Sequence, residues 1–75
     1  MNNSERNQAQ INVGKQIQFL RKKNNLTQAN LAHLSDMEES ALQRIEAGRT
    51  NPTIKTLFKI SKALKVEFKD LFENF

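Results

Sequence analysis

Two short runs of helical apolar periodicity, 28–34 and 39–47, are separated only by residues 35–38. That spacing constrains the fold more than any other feature of the chain, because two helices joined so closely must pack across each other. Leu31, Ala32 and Leu34 make the inward side of the first run, and Leu42 and Ile45 that of the second. Ala32 and Ser35 are small, which lets the two helices cross closely. Met37 is an apolar plug for the turn between them. Glu39, Ser40, Gln43, Arg44 and Ala47 are then left facing outward.

The flanks read as helices too. Two glycines and one proline are all that interrupt the chain, and no β-branched alternation occurs, so an all-α fold is predicted. Val13, Ile17 and Leu20 step by four and three along a helix from about Asn12 to Lys23. Asn24-Asn25 supplies a turn, because Asn tolerates positive φ. Thr27 caps the second helix, Gly48 stops the third and Thr53 caps the fourth, with Pro52 fixing its approach. Ile54, Leu57, Phe58, Ile60, Ser61 and Leu64 give the fourth helix a broad inner face, and Lys59 and Lys62 lie outside. A last short amphipathic helix carries Phe68, Leu71, Phe72 and Phe75. The opening stretch "MNNSERNQAQ" is polar. Residues 1–10 are therefore expected as a flexible tail, and residues 11–75 as one domain.

Charge narrows the function classes. The net charge is +4, a balance that favours anionic partners such as nucleic acid. Its distribution is uneven: the segment 36–48 sets Asp36, Glu38, Glu39 and Glu46 against Arg44 alone, between two basic flanks. The chain has no cysteine and one histidine, His33. Neither a thiolate metal site nor a disulfide framework can form, and His33 lacks partners for a metal. There is no glycine-rich phosphate loop and no pair of carboxylates opposed across a cleft. The expectation is a non-enzyme with no metal, cofactor or small-molecule ligand. No apolar run approaches a membrane span, so a cytoplasmic protein is expected.

A short helix followed by a second one after a tight turn is the helix-turn-helix arrangement, in which the second helix enters the major groove of DNA. The pieces "LTQ" at 26–28, "LA" at 31–32, "RIEAG" at 44–48, "NPT" at 51–53 and "KALKV" at 62–66 together resemble the Xre family of phage-repressor helix-turn-helix domains. The likeness covers about residues 12–72. It implies the compact five-helix fold of Cro-like and lambda-repressor-like domains and a sequence-specific transcriptional regulator of double-stranded DNA. Carried over by matching position, it assigns base contacts to Glu39, Ser40, Gln43 and Arg44. Gln28, Arg49, Asn51 and Thr53 take phosphate contacts, joined by Lys55 on its charge and place. Arg21 and Glu46 become a structural ion pair. Three positions depart from the family pattern: Asp36 replaces the usual glycine of the turn, Glu38 the usual Ser or Thr cap, and Lys65 a further glycine.

Acids at the start of a DNA-facing helix have two possible causes. An anion at a helix N-terminus is stabilised by roughly 0.3–1 kcal/mol. Alternatively, Glu39 accepts a hydrogen bond from a cytosine amino group, a contact that discriminates by about 1–3 kcal/mol. One such module makes few base contacts, so a homodimer on a palindromic operator is expected, with Phe68, Leu71, Phe72 and Phe75 as its candidate interface. The competing reading is a protein-interaction module, an antitoxin-like partner or adaptor with weakened DNA binding. Arg44→Glu separates the two, since it abolishes only the DNA contact.

Overall fold

The computed structural model describes the backbone of residues 3–73 and the side chains of residues 8–73. Four α-helices are followed by a 3-10 helix: α1 (Asn3–Lys23), α2 (Gln28–Leu34), α3 (Glu39–Glu46), α4 (Ile54–Leu64) and the 3-10 segment Phe68–Phe72. No strand occurs among the described residues.

Each element drives at least one fully buried apolar side chain into a common centre. Ile17 comes from α1, Leu31 from α2, Leu42 from α3, Ile60 from α4 and Leu71 from the 3-10 helix. Val13, Leu20, Ile45, Leu57 and Leu64 extend this core, and Met37, Val66 and Phe68 pack on its edge. The hydrophobic effect thus joins α1 to four helices of 5 to 11 residues, each too short to be stable alone in water.

Every α-helix ends in the same way. A residue with positive φ follows it: Asn25 (58°), Asp36 (55°), Gly48 (74°) and Lys65 (59°). The next N–H then turns back to a carbonyl of the last turn: Leu26 to Arg21 (3.1 Å), Met37 to Ala32 (2.9 Å), Arg49 to Arg44 (2.9 Å) and Val66 to Ser61 (3.1 Å). This closure satisfies carbonyls that the helix leaves open. The N-termini of α2 and α4 are capped by side chains. Thr27 Oγ1 accepts from Asn30 N–H (3.0 Å), and Thr53 Oγ1 from Thr56 N–H (3.1 Å).

Several boundaries and orientations differ from expectation. The backbone is helical from Asn3, although the apolar stepping begins only at Val13. Residues 3–10 contain good helix formers and neither Gly nor Pro, so propensity extends α1 beyond its packed part. The fifth helix is not an α-helix. Glu67 N–H donates to the Asp70 carboxylate (2.9 Å) and Asp70 N–H to Glu67 carbonyl (2.9 Å), which tightens the start into 3-10 geometry. At three residues per turn, Phe68 and Leu71 stack on one side. Leu34, expected inward, is 57% exposed, and Ser35 takes the buried place beside Ala32. Ile54 and Phe58 are 75% and 50% exposed. The buried stripe of α4 is Leu57, Ile60, Ser61 and Leu64, and the other two lie along its flank.

Candidate nucleic-acid interface

The face in question belongs to α3. Eight residues long, it buries Leu42, Ile45 and Glu46 and exposes Glu39, Ser40, Gln43 and Arg44. Leu42 and Ile45 are three apart, so both point to the core while the opposite side stays in solvent.

Glu46 is an acid inside the protein, and its partners explain why it is tolerated. Arg21 Nε donates to Glu46 Oε2 (2.7 Å) and Arg21 Nη2 to Oε1 (3.1 Å), a two-bond fork with both side chains nearly enclosed. Arg21 Nη1 donates in turn to the Leu26 carbonyl (2.8 Å). The cluster ties α1, the turn before α2 and the last residue of α3 together. Planar guanidinium geometry suits this fork, whereas a lysine would serve only one oxygen.

Gln28, matched by resemblance to a phosphate contact, joins the same cluster. Its Nε2 donates to Glu46 Oε1 at 3.0 Å. Its amide is therefore held beside the C-terminal end of α3, with the carboxylate on its nitrogen side. Arg49 and Asn51 are exposed in the loop after α3, and Lys55 is exposed in the first turn of α4. Thr53 is exposed but occupied, since it caps α4 and its hydroxyl donates to Thr56 Oγ1 (3.0 Å).

The acids divide by role. Asp36 serves the turn, and its carboxylate lies 4.0 Å from Lys59 Nζ in an open ion pair. Glu38 occupies the N-cap of α3 without a side-chain cap bond. Glu39 accepts a hydrogen bond from Gln43 Nε2 at 3.3 Å, one helical turn on.

Of the aromatic end, Leu71 is fully buried in the core. It cannot belong to a subunit interface as expected, because the 3-10 stacking turns it inward. Phe68 is half-buried and Phe72 stands 36% exposed beside it, ring centroids 5.2 Å apart. Phe75 lies outside the described residues. No described helix is long and apolar enough to cross a membrane.

Two structural residues escaped the sequence reading. Gly14 lies where α1 meets the end of α3, and a Cβ there would intrude on the carbonyl oxygens of Ile45 and Glu46. Its signal was a lone glycine inside a helical run, which points to close backbone approach. Gln16 is buried and donates through Nε2 to the Asp70 carbonyl (2.9 Å), fastening α1 to the 3-10 helix. It falls on the same helical face as Val13, Ile17 and Leu20, so a polar residue in an apolar stripe was the available clue.

Residues 17–71 match the helix-turn-helix family HTH_3. The chain belongs to this helix-turn-helix family. Among its relatives is the immunity repressor protein of Bacillus phage phi105, 37% identical over 57 residues that span 76% of this chain and 40% of the repressor. The control protein C.BamHI of Bacillus amyloliquefaciens is 34% identical over 68 residues, 89% of this chain and 84% of that protein. The crystal structure of the restriction-modification controller protein C.AhdI from Aeromonas hydrophila superimposes with a TM-score of 0.83 at 30% identity. That match covers 84% of this chain and 96% of the controller. Membership of the helix-turn-helix family sets α2 and α3 as the two helices of the motif.

Proposed function

We propose that the protein is a sequence-specific regulator of transcription that binds double-stranded DNA by placing α3 in the major groove. One observation carries this reading: Ser40, Gln43 and Arg44 project to solvent from a helix whose other side is pinned by Leu42, Ile45 and the buried Glu46. Rigid support of exposed donors and acceptors is what base readout requires. Arg44 is suited to guanine and Gln43 to adenine. Arg49, Asn51, Lys55 and the amide of Gln28 flank α3 and supply the backbone contacts that fix its register. Thr53 caps α4 through Thr56 N–H, and the first-turn N–H groups that this cap leaves free favour a phosphate. The names of the relatives, a repressor and controller proteins, agree with a role in gene control.

Such a regulator works where the DNA is, in the cytoplasm. It acts as a homodimer on a palindromic operator, since exposed Ile54, Phe58 and Phe72 give it apolar surface beyond its own core. The protein-interaction alternative has no comparable support: the acids that suggested it are accounted for by the turn, the helix start and the Glu39–Gln43 bond.

The deciding experiment is duplex binding across a salt series. Affinity is expected to fall steeply, with log K changing by about −0.9 per phosphate neutralised. Arg44→Glu is expected to weaken selected-site binding by about tenfold or more. Binding without salt dependence, or unchanged in Arg44→Glu, overturns the reading.

A further inference from the structure

We propose that Glu39 is a positioning residue for base readout: its carboxylate orients the Gln43 amide so that Gln43 recognises one adenine in each half-site. The inference rests on the reading of α3 as the groove-facing helix.

A free glutamine is ambiguous, because its amide presents a donor or an acceptor depending on a flip about its last bond. Here the ambiguity is removed chemically. Gln43 Nε2 lies 3.3 Å from Glu39 Oε2, and an ionised carboxylate only accepts, so the nitrogen side must face Glu39. Glu39 engages one N–H of the amide; for Gln43 to read adenine it is the one trans to the oxygen. The cis N–H and the carbonyl oxygen remain as a donor and an acceptor on one edge. That edge pairs with adenine, which offers N7 as acceptor and N6–H as donor in the major groove. The other outward-facing side chains are not arranged in this way. Among the described residues neither Ser40 nor Arg44 has a side-chain hydrogen bond or ion pair.

Glu39 is well placed to act as the anchor. It stands in the first turn of α3, where free N–H groups favour a carboxylate, and Glu38 ahead of it makes no side-chain cap that would compete. Water weakens the Glu39–Gln43 bond in the free protein, while a desolvated groove strengthens it. The carboxylate also repels phosphate, so it raises selectivity at the expense of non-specific affinity.

The test uses the full chain, its Glu39→Ala, Glu39→Gln and Gln43→Ala variants, and duplexes selected from a random pool. Wild type is expected to favour adenine at one position of each half-site. Gln43→Ala and Glu39→Ala are both expected to lose that preference by about tenfold, while Glu39→Ala binds unselected duplex at least as well as wild type. Glu39→Gln retains part of the preference, because its side-chain oxygen can still accept from Gln43. Thermal unfolding serves as the folding control, as both positions are exposed. Adenine preference intact in Glu39→Ala overturns the proposal. So does loss, in that variant, of a cytosine preference at a different position, which makes Glu39 a direct reader. If wild type and all variants fail to bind any duplex, the groove reading falls as well, an outcome distinct from binding with unaltered preference.

Discussion

Lys65 is the residue whose backbone is least suited to its chemistry. It adopts φ 59° and ψ 40° at the end of α4, a left-handed conformation that costs an L-residue with a Cβ about 1–2 kcal/mol. Asn25 and Asp36 adopt similar angles at lower cost, since their short polar side chains tolerate that region. Lysine has no such relief. Lys65→Gly is therefore expected to raise stability by about 1 kcal/mol, read as a higher midpoint in urea with an unchanged slope. No gain would mean that the lysine stem recovers its backbone cost through packing. Asn25 and Gly48 were legible in advance because turn chemistry is local. Lys65 could be marked as unusual only through the family pattern, and its backbone conformation required coordinates. The acids were half legible: helix electrostatics explained their place in the first turn, but nothing in the sequence tied Glu39 to Gln43 rather than to a base.

At the scale of elements, α3 is positioned by few contacts of high value. Glu46 satisfies two nitrogens of Arg21 and the amide of Gln28. Removing it leaves a guanidinium enclosed with only the Leu26 carbonyl opposite. Glu46→Ala is expected to destabilise the fold by about 3–5 kcal/mol, the usual consequence of orphaning one member of a buried pair. Arg21→Met combined with Glu46→Leu removes both charges and is expected to recover much of that loss. Chemical denaturation of the single and double variants measures this, and equal destabilisation by both would show that loss of the pair itself, not an orphaned charge, carries the cost. Long-range pairing of this kind was visible only through family resemblance, because residues 21 and 46 share no local pattern. The extents of α2, α3 and α4 were legible from caps and stops. The start of α1 was not, because apolar periodicity records where a helix packs rather than how far its backbone continues. The last element was misjudged for a related reason: Phe68, Leu71 and Phe72 fit an α-helical face, but its capped and very short length favours a 3-10 turn.

At the scale of the whole molecule, the question is what a domain with a radius of gyration of 11.4 Å does with its leftover apolar surface. Ile54 and Phe58 lie one helical turn apart on the flank of α4, and Lys62 Nζ sits 5.3 Å from the Phe58 ring centroid. The Lys62 ammonium stands over that ring, while Ile54 stays open to solvent. The apolar pattern places both residues in the core and self-association on Phe68, Leu71, Phe72 and Phe75; of these Leu71 is buried, while Ile54 and Phe58 are exposed. Periodicity identifies a stripe but not its width, and here the stripe is narrower than the row of apolar residues. In a two-fold dimer each side chain is buried twice, which magnifies the effect of any change. Full burial of a large apolar side chain is worth about 1.5–3 kcal/mol, and these two begin already partly covered. In the proposed homodimer, paired through α4, Ile54→Gln with Phe58→Gln is expected to weaken dimerisation by at least about tenfold in sedimentation equilibrium. Thermal stability should change little, because neither residue fills the core. Binding to a single half-site should survive while binding to the palindrome loses its advantage, since each subunit then engages DNA alone. Unaltered dimerisation in this variant would move the interface away from α4, to the other exposed aromatics, Phe19 and Phe72.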